Sequence, residues 1–338
     1  MLAAGIVGAW LAASILYPKL AADGLAGSAK ILGPFFIYPA LFVLAPDERG
    51  MEALTLVVAL TVIVIGSVDI AQTASLFHSI HFDPFRTTGK TSATGLSDAG
   101  AEYIAGALPL LVSQFIFGQR LRDIVVLSIA IIEGVVYVIV SHSMASWAAV
   151  VLAGLAGICL LAYVRRRRKL RINLSPLYIV GIVLAGTLLL SLISSQTHSL
   201  IGSVLSVFDA WHLGNNSEYV RILTTIGVPG MLLFIGLLAL IVYGFLSGIE
   251  KAAAEHLPVL VGGLLGVVSL IVMALFSFPF GAPGTGFLFW VYAGIDGLYS
   301  PGSLRAHPPL WKALSYVFAV LGLAVFFTAF RIALARAE

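Results

Sequence analysis

Charge is scarce in this chain: only 10% of its 338 residues are Asp, Glu, Lys or Arg, while 60% are hydrophobic and the mean hydropathy is +1.04. That balance excludes an ordinary soluble globular domain, in which about a quarter of the residues are charged. Cysteine is scarcer still. The single Cys159 excludes an internal disulfide framework and a thiolate metal site, and its place inside an apolar run reads as a small core residue. The histidines are spread over several loops and supply no full ligand set, so neither a metal nor a cofactor is expected. Met1 to Tyr17 lacks a basic leading region, which argues against a cleavable signal peptide and for an uncleaved first helix. Internal repeats, low-complexity tracts and soluble linkers are also missing, so residues 1–338 read as a single integral membrane domain.

What the chain has in quantity is apolar runs near the length of about 20 residues that a helix needs to cross a bilayer. They fall at 2–17, 31–46, 53–76, 101–118, 124–141, 145–164, 176–194, 222–246, 257–277, 286–299 and 314–332. The fold class is therefore all-α, a polytopic transmembrane bundle of ten or eleven spans. Phe276 to Ser300 is interrupted by Pro279, Pro283 and several glycines, and reads either as a re-entrant loop or as a crossing. The net charge of +3 is largely the work of basic residues that hold topology, so nucleic acid is not implied.

Lys and Arg are retained on the cytoplasmic side of short loops. The densest group, Arg165, Arg166, Arg167, Arg168, Lys169 and Arg171, marks such a loop. Counting spans from it places Arg120, Arg122, Asp47 to Arg49, Glu250 and Lys251 on the same side. The segments around 77–100, Ser141 to Ser146, 195–220 and Gly281 to Gly286 then share the extracytoplasmic face. The candidate chemistry gathers there.

The first of these loops carries His78, His81, Asp83, Arg86, Lys90 and Asp98, with Glu102 one step into the next helix. Arg offers forked donors to diphosphate oxygens, so Arg86 and Lys90 suit an anionic lipid headgroup, although a solvated interfacial loop accounts for the same composition. The second loop runs through His198, Asp209, Trp211, His212, Asn215, Asn216, Ser217, Glu218, Tyr219 and Arg221. Glu218 and Arg221, three apart at a helix start, can share a face, and the helix N-terminus favours an anion. Asp209, Asn215, Asn216 and Ser217 equally suit cap and turn positions. Within the spans themselves stand Asp69 and Glu133. Each needs a partner, a cavity or a proton, and Glu133 reads as hydrogen-bonded between helices.

The order of several segments resembles the bacterial O-antigen polymerase and O-antigen ligase family of polytopic GT-C-type glycosyltransferases. Asn216-Ser217-Glu218-Tyr219-Val220-Arg221-Ile222-Leu223, followed by Gly227-Val228-Pro229-Gly230 and Met231-Leu232-Leu233-Phe234, looks like its loop-to-helix signature. Gln72, Arg86-Thr87-Thr88-Gly89, Ser97-Asp98 and the run Ala105 to Leu111 resemble its first block. Ser141-His142-Ser143-Met144-Ala145-Ser146-Trp147 resembles its Ser-Arg turn, and Phe289-Trp290 to Gly294 its late aromatic-glycine segment. Two departures, Met144 in place of Arg and Asn216-Ser217 in place of His-Asn, lean away from a ligase and toward a polymerase-like member. The part before residue 31 is shorter than the family pattern, as in a reduced or N-terminally truncated version.

The resemblance implies transfer of a glycan from an undecaprenyl-diphosphate carrier to a hydroxyl acceptor. It places the reaction on the periplasmic face of the bacterial inner membrane, in surface-polysaccharide synthesis. Displacement at an anomeric carbon requires a base and donors for the departing diphosphate. Glu218 or His212 is the candidate base. Arg86, Arg221 and Lys90 are the candidate diphosphate ligands, with Asp98, Ser143 and Tyr219 in support and no metal. The partners are the lipid-linked donor, a glycan or lipid acceptor, and membrane lipids. Two alternatives stand: a ligase that attaches finished polymer to a lipid acceptor, and a transporter or flippase in which Glu133 and Asp69 carry ion coupling.

Overall fold

A computed structural model describes residues 48–77, 97–117, 121–141, 143–168, 217–277, 279–280 and 283–299. All of the regular structure in them is helical. The seven α-helices described are α1 (Glu48–Phe77), α2 (Ser97–Phe117), α3 (Leu121–Ser141), α4 (Met144–Arg168), α5 (Glu218–Lys251), α6 (Leu257–Met273) and α7 (Pro283–Tyr299), with a 3-10 turn at Ala254–His256. Five of them, α1, α2, α4, α5 and α6, are long and apolar enough to cross a membrane, as expected of a multi-pass membrane protein.

The antiparallel pair α2 and α6 forms the centre. Their apolar windows are 72% and 78% buried, against 22% for α4 and 33% for α1. Helices that are hydrophobic all round belong inside, and α6 is made of little but Leu, Val, Ile and Gly. Small residues let backbones approach where lipid offers no hydrophobic drive for association. A Cβ on Gly262 would lie 2.7 Å from the Cα of Leu110 in α2, and one on Gly263 would lie 2.7 Å from the Phe245 ring of α5. Gly266 receives the Tyr292 ring of α7 in the same way. One helix thus accepts three neighbours through three glycines.

Pro109 interrupts α2 yet the helix continues past it. Proline has no N–H, so the carbonyl four residues earlier, that of Ala105, loses its helical donor. The Ser269 hydroxyl of α6 donates to this carbonyl at 2.9 Å, and the Tyr292 hydroxyl of α7 donates to the adjacent Gly106 carbonyl at 2.6 Å. A third bond, from Ser113 Oγ to the Pro258 carbonyl at 2.6 Å, fixes the other end of the α2–α6 pair. The Ser269 hydroxyl thereby satisfies the backbone group that Pro109 would leave bare in hydrocarbon.

These contacts also sort the helix ends. The start of α2 meets the end of α3, where Gly100 faces Tyr137, and the start of α7, where Gly284 faces Tyr103. The start of α5 bonds to the end of α6. At the opposite end, Tyr163 of α4 donates to Glu250 of α5 at 3.0 Å, and His256 stacks 4.6 Å from Tyr299. Arg165, Arg166 and Arg167 lie at this second end. The two ends agree with the two faces inferred from the basic residues. Among the described residues, α4 ends and α5 begins at opposite ends of the bundle.

Several expectations need correction. The loop placed at 77–100 gives way to helix at Ser97, so Asp98 is in the first turn of α2. The loop placed at 195–220 ends earlier as well, because α5 begins at Glu218 and runs unbroken through Gly227-Val228-Pro229-Gly230. α4 continues as helix into the arginine run to Arg168, since Arg is a good helix former and charge does not break a helix where it leaves the bilayer. Within Phe276 to Ser300, residues Pro283–Tyr299 form one continuous helix, α7, which extends from the Tyr103 end to the His256 end and rises about 25 Å over its 17 residues. Cys159 is exposed rather than in the core, because it sits on the face of α4 turned away from the bundle. The spans expected at 2–17, 31–46, 176–194 and 314–332 lie outside the described residues.

Candidate functional site

The polar end of the bundle, where α2, α5 and α7 begin and α3 and α6 finish, holds the described site residues. Its best-defined part is the segment Ser217-Glu218-Tyr219. Ser217 has the extended backbone of an N-cap, φ −100° and ψ 133°, but its hydroxyl does not cap its own helix. It donates instead to the Ala274 carbonyl of α6 at 3.0 Å. The Glu218 N–H is shared between the carbonyls of Ala274 at 3.0 Å and Ser277 at 3.1 Å. The last turn of α6 tightens, with Leu275 N–H on the Val272 carbonyl, and the Ile271 carbonyl accepts the Tyr219 hydroxyl at 3.1 Å. The exposed donors of one helix start are therefore spent on the orphan carbonyls of another helix end, which joins opposite poles of two helix dipoles.

Glu218 is 2% exposed, and its Oε2 atom is shut away from solvent at this joint. Placed in the first turn of α5, the carboxylate gains from the N-terminal dipole. To serve as a base it has to become open to an acceptor hydroxyl. Burial and the neighbouring Glu218 charge push the Tyr219 phenol up to about 12. Tyr219 therefore stays protonated across the physiological range and acts as a donor, not as a base. A second buried carboxylate, Glu102, stands one turn into α2 at the same end.

Ser143 is buried and begins α4: its carbonyl accepts the Trp147 N–H at 3.0 Å, and Ser146 Oγ donates to Ser143 Oγ at 3.0 Å. The Ser143 N–H reaches the Ser141 hydroxyl at 3.5 Å. This turn is a compact serine cap between α3 and α4, and its hydroxyls are used locally. The aromatic segment Phe289-Trp290 is linked to Tyr219 by a chain of ring contacts. Tyr219 lies 6.1 Å from Phe234, Phe234 5.2 Å from Phe280, Phe280 5.0 Å from Phe289, and Phe289 5.1 Å from Trp290. Thr285 bonds to the Pro279 carbonyl and closes the turn that carries Phe280.

Arg86, Lys90 and His212 lie outside the described residues, as do the side chains of Asp98, Arg221 and Asp69. Of the candidate residues, only Glu218, Tyr219 and Ser143 have described surroundings, and the structure does not bring them into one site: Ser143 bonds within the α3–α4 turn, whereas Glu218 and Tyr219 bond to the end of α6. Among the described residues no group of three His, Cys, Asp or Glu side chains is placed to hold a metal. Glu133 is hydrogen-bonded between helices as expected: Ser67 Oγ of α1 donates to its Oε1 at 2.7 Å, and Gly66 makes the room. Sequence reading missed Asp296, which α7 seats directly over Gly244 of α5. The signal was present, since Asp296 falls within the span at 286–299. It also missed Ser269, whose role is legible only from a proline on another helix.

No protein-family model, curated protein or solved structure matches this chain.

Proposed function

We propose that this multi-pass membrane protein is a metal-independent glycosyltransferase of polymerase type. It moves a glycan from undecaprenyl diphosphate to a hydroxyl acceptor on the periplasmic face of the inner membrane. The observation that carries the reading is convergence. Segments far apart in sequence, Ser97-Asp98, Ser141 to Ser146 and Ser217 to Tyr219, have their described parts at one end of the bundle, away from the arginine run of α4. These are the same segments that carry the resemblance to the O-antigen polymerase and ligase group.

In this mechanism the acceptor hydroxyl gives its proton to Glu218 or His212 as its oxygen attacks the anomeric carbon. The carbon–oxygen bond to the diphosphate breaks in the same displacement, so the anomeric configuration inverts. Arg86, Arg221 and Lys90 neutralise the charge that builds on the departing diphosphate. Tyr219, held protonated, orients the start of α5 through its bond to Ile271. Purified protein given an undecaprenyl-diphosphate-linked repeat unit should lengthen it, and Arg221→Ala should abolish lengthening while leaving expression intact. Transfer of preformed polymer to a lipid acceptor without lengthening would instead mean a ligase. Solute or lipid flux without glycosyl transfer would refute the enzyme reading.

A further inference from the structure

The arginine end of α4 has a feature that topology alone does not explain. Val151, Leu155, Ile158 and Ala162, at spacings of four, three and four, form an exposed apolar line on the face turned away from the bundle. That line is about 16 Å long, close to half of a ~30 Å hydrocarbon core. Its last member is its smallest, so the line is shallowest at Ala162, next to the charged end. Arg165 and Arg166 follow immediately, both exposed, and helical geometry sets them about 50° to either side of the line. Among the described residues neither pairs with a carboxylate. Arg167 differs. It lies about 150° round the helix, with its guanidinium 5.8 Å from the Tyr163 ring centre, and the Tyr163 hydroxyl occupies Glu250.

We propose that this line and its arginine pair form a site for one anionic phospholipid. An acyl chain lies along Val151, Leu155 and Ile158, the glycerol backbone passes over Ala162, and the headgroup phosphate sits between Arg165 and Arg166. Guanidinium forks match phosphate oxygens, and a basic pair at a helix end attracts anionic headgroups by about 1 kcal/mol per residue. Arg167, engaged by Tyr163, is not part of the site. The site faces the leaflet opposite the candidate glycosyl-transfer end, so it stands or falls independently of the proposed enzyme activity.

The test is native mass spectrometry of the full chain in detergent, titrated in parallel with phosphatidylglycerol, phosphatidylcholine and inorganic phosphate. Phosphatidylglycerol is expected to bind preferentially. Arg165→Gln and Arg166→Gln should each weaken it roughly fivefold and the double variant roughly 25-fold. Arg167→Gln should leave it within about twofold of wild type. Equal binding of phosphatidylcholine overturns the proposal, as does displacement of the lipid by free phosphate. So does wild-type binding by both single variants, or a loss in Arg167→Gln as large as in the other two.

Discussion

Pro109 and Ser269 should be coupled in stability although they belong to different helices. Proline removes the donor that Ala105 would otherwise have, and the Ser269 hydroxyl replaces it at 2.9 Å in a buried setting. Ser269→Ala therefore strands a carbonyl. An unmet buried polar group costs about 1–3 kcal/mol, while hydrogen bonds between membrane helices average ~0.6 and reach ~1.7. The expected loss is about 1–1.5 kcal/mol. In a Pro109→Ala background the residue 109 N–H returns to the Ala105 carbonyl, and the same serine change should cost under about 0.5 kcal/mol. The coupling energy is then about 1 kcal/mol, measurable as a double-mutant cycle by reversible unfolding in mixed micelles or by steric trapping. If Ser269→Ala costs the same with and without the proline, to within about 0.3 kcal/mol, the serine is not compensating for it. Its bond would then be incidental.

Gly262→Ala pushes a methyl group to 2.7 Å from the Leu110 Cα, a backbone atom that cannot swing aside. It should destabilise the bundle by about 1–3 kcal/mol in the same unfolding assay, and a neutral result would mean α2 and α6 are not in close contact. Cys159, about 9 Å along α4 from Arg165, should resist a water-soluble maleimide in intact membranes and react once unfolded in detergent; rapid labelling in membranes would show that this face meets water. Glu133→Gln keeps an acceptor for Ser67, so glycan lengthening and stability should both stay near wild type, and loss of activity with normal folding would favour ion coupling. Because the folded state holds the Tyr219 proton up to about 12 against an ordinary 10.0, the stability this tyrosine contributes is complete below pH 10 and falls as pH rises from there toward 12. Tyr219→Phe should remove that alkaline component from a stability–pH profile, and an unchanged profile would count against the buried phenol.

The membrane class and the position of most described helices were readable because long apolar runs have few alternatives. Helix ends were less readable. At Ser97, Glu218 and Arg168 polar residues continue helices whose apolar stretch has already finished, and hydropathy carries no information about that continuation. The Ser217 hydroxyl resembled an N-cap in sequence, but its acceptor is the Ala274 carbonyl, 57 residues away. Which carbonyls a helix end leaves bare, and which neighbour arrives to take them, depends on packing. The exposure of Cys159 was misread for a related reason. In a chain that is apolar on every side, hydrophobicity does not distinguish the face toward a neighbour from the face toward lipid.

The three glycines of α6 have a mechanical consequence. Leu110, Phe245 and Tyr292 each fill a recess only as deep as a missing side chain. A slip of one residue, or a modest rotation, would drive leucine or valine into the same spaces. Helices α2, α5, α6 and α7 therefore travel as one block, like gears whose teeth are already engaged. The α1–α3 seam is no looser, since Gly66 receives Glu133 in the same way. It is α3 and α4 that touch only lightly, so a rearrangement that leaves the block whole has its room between them.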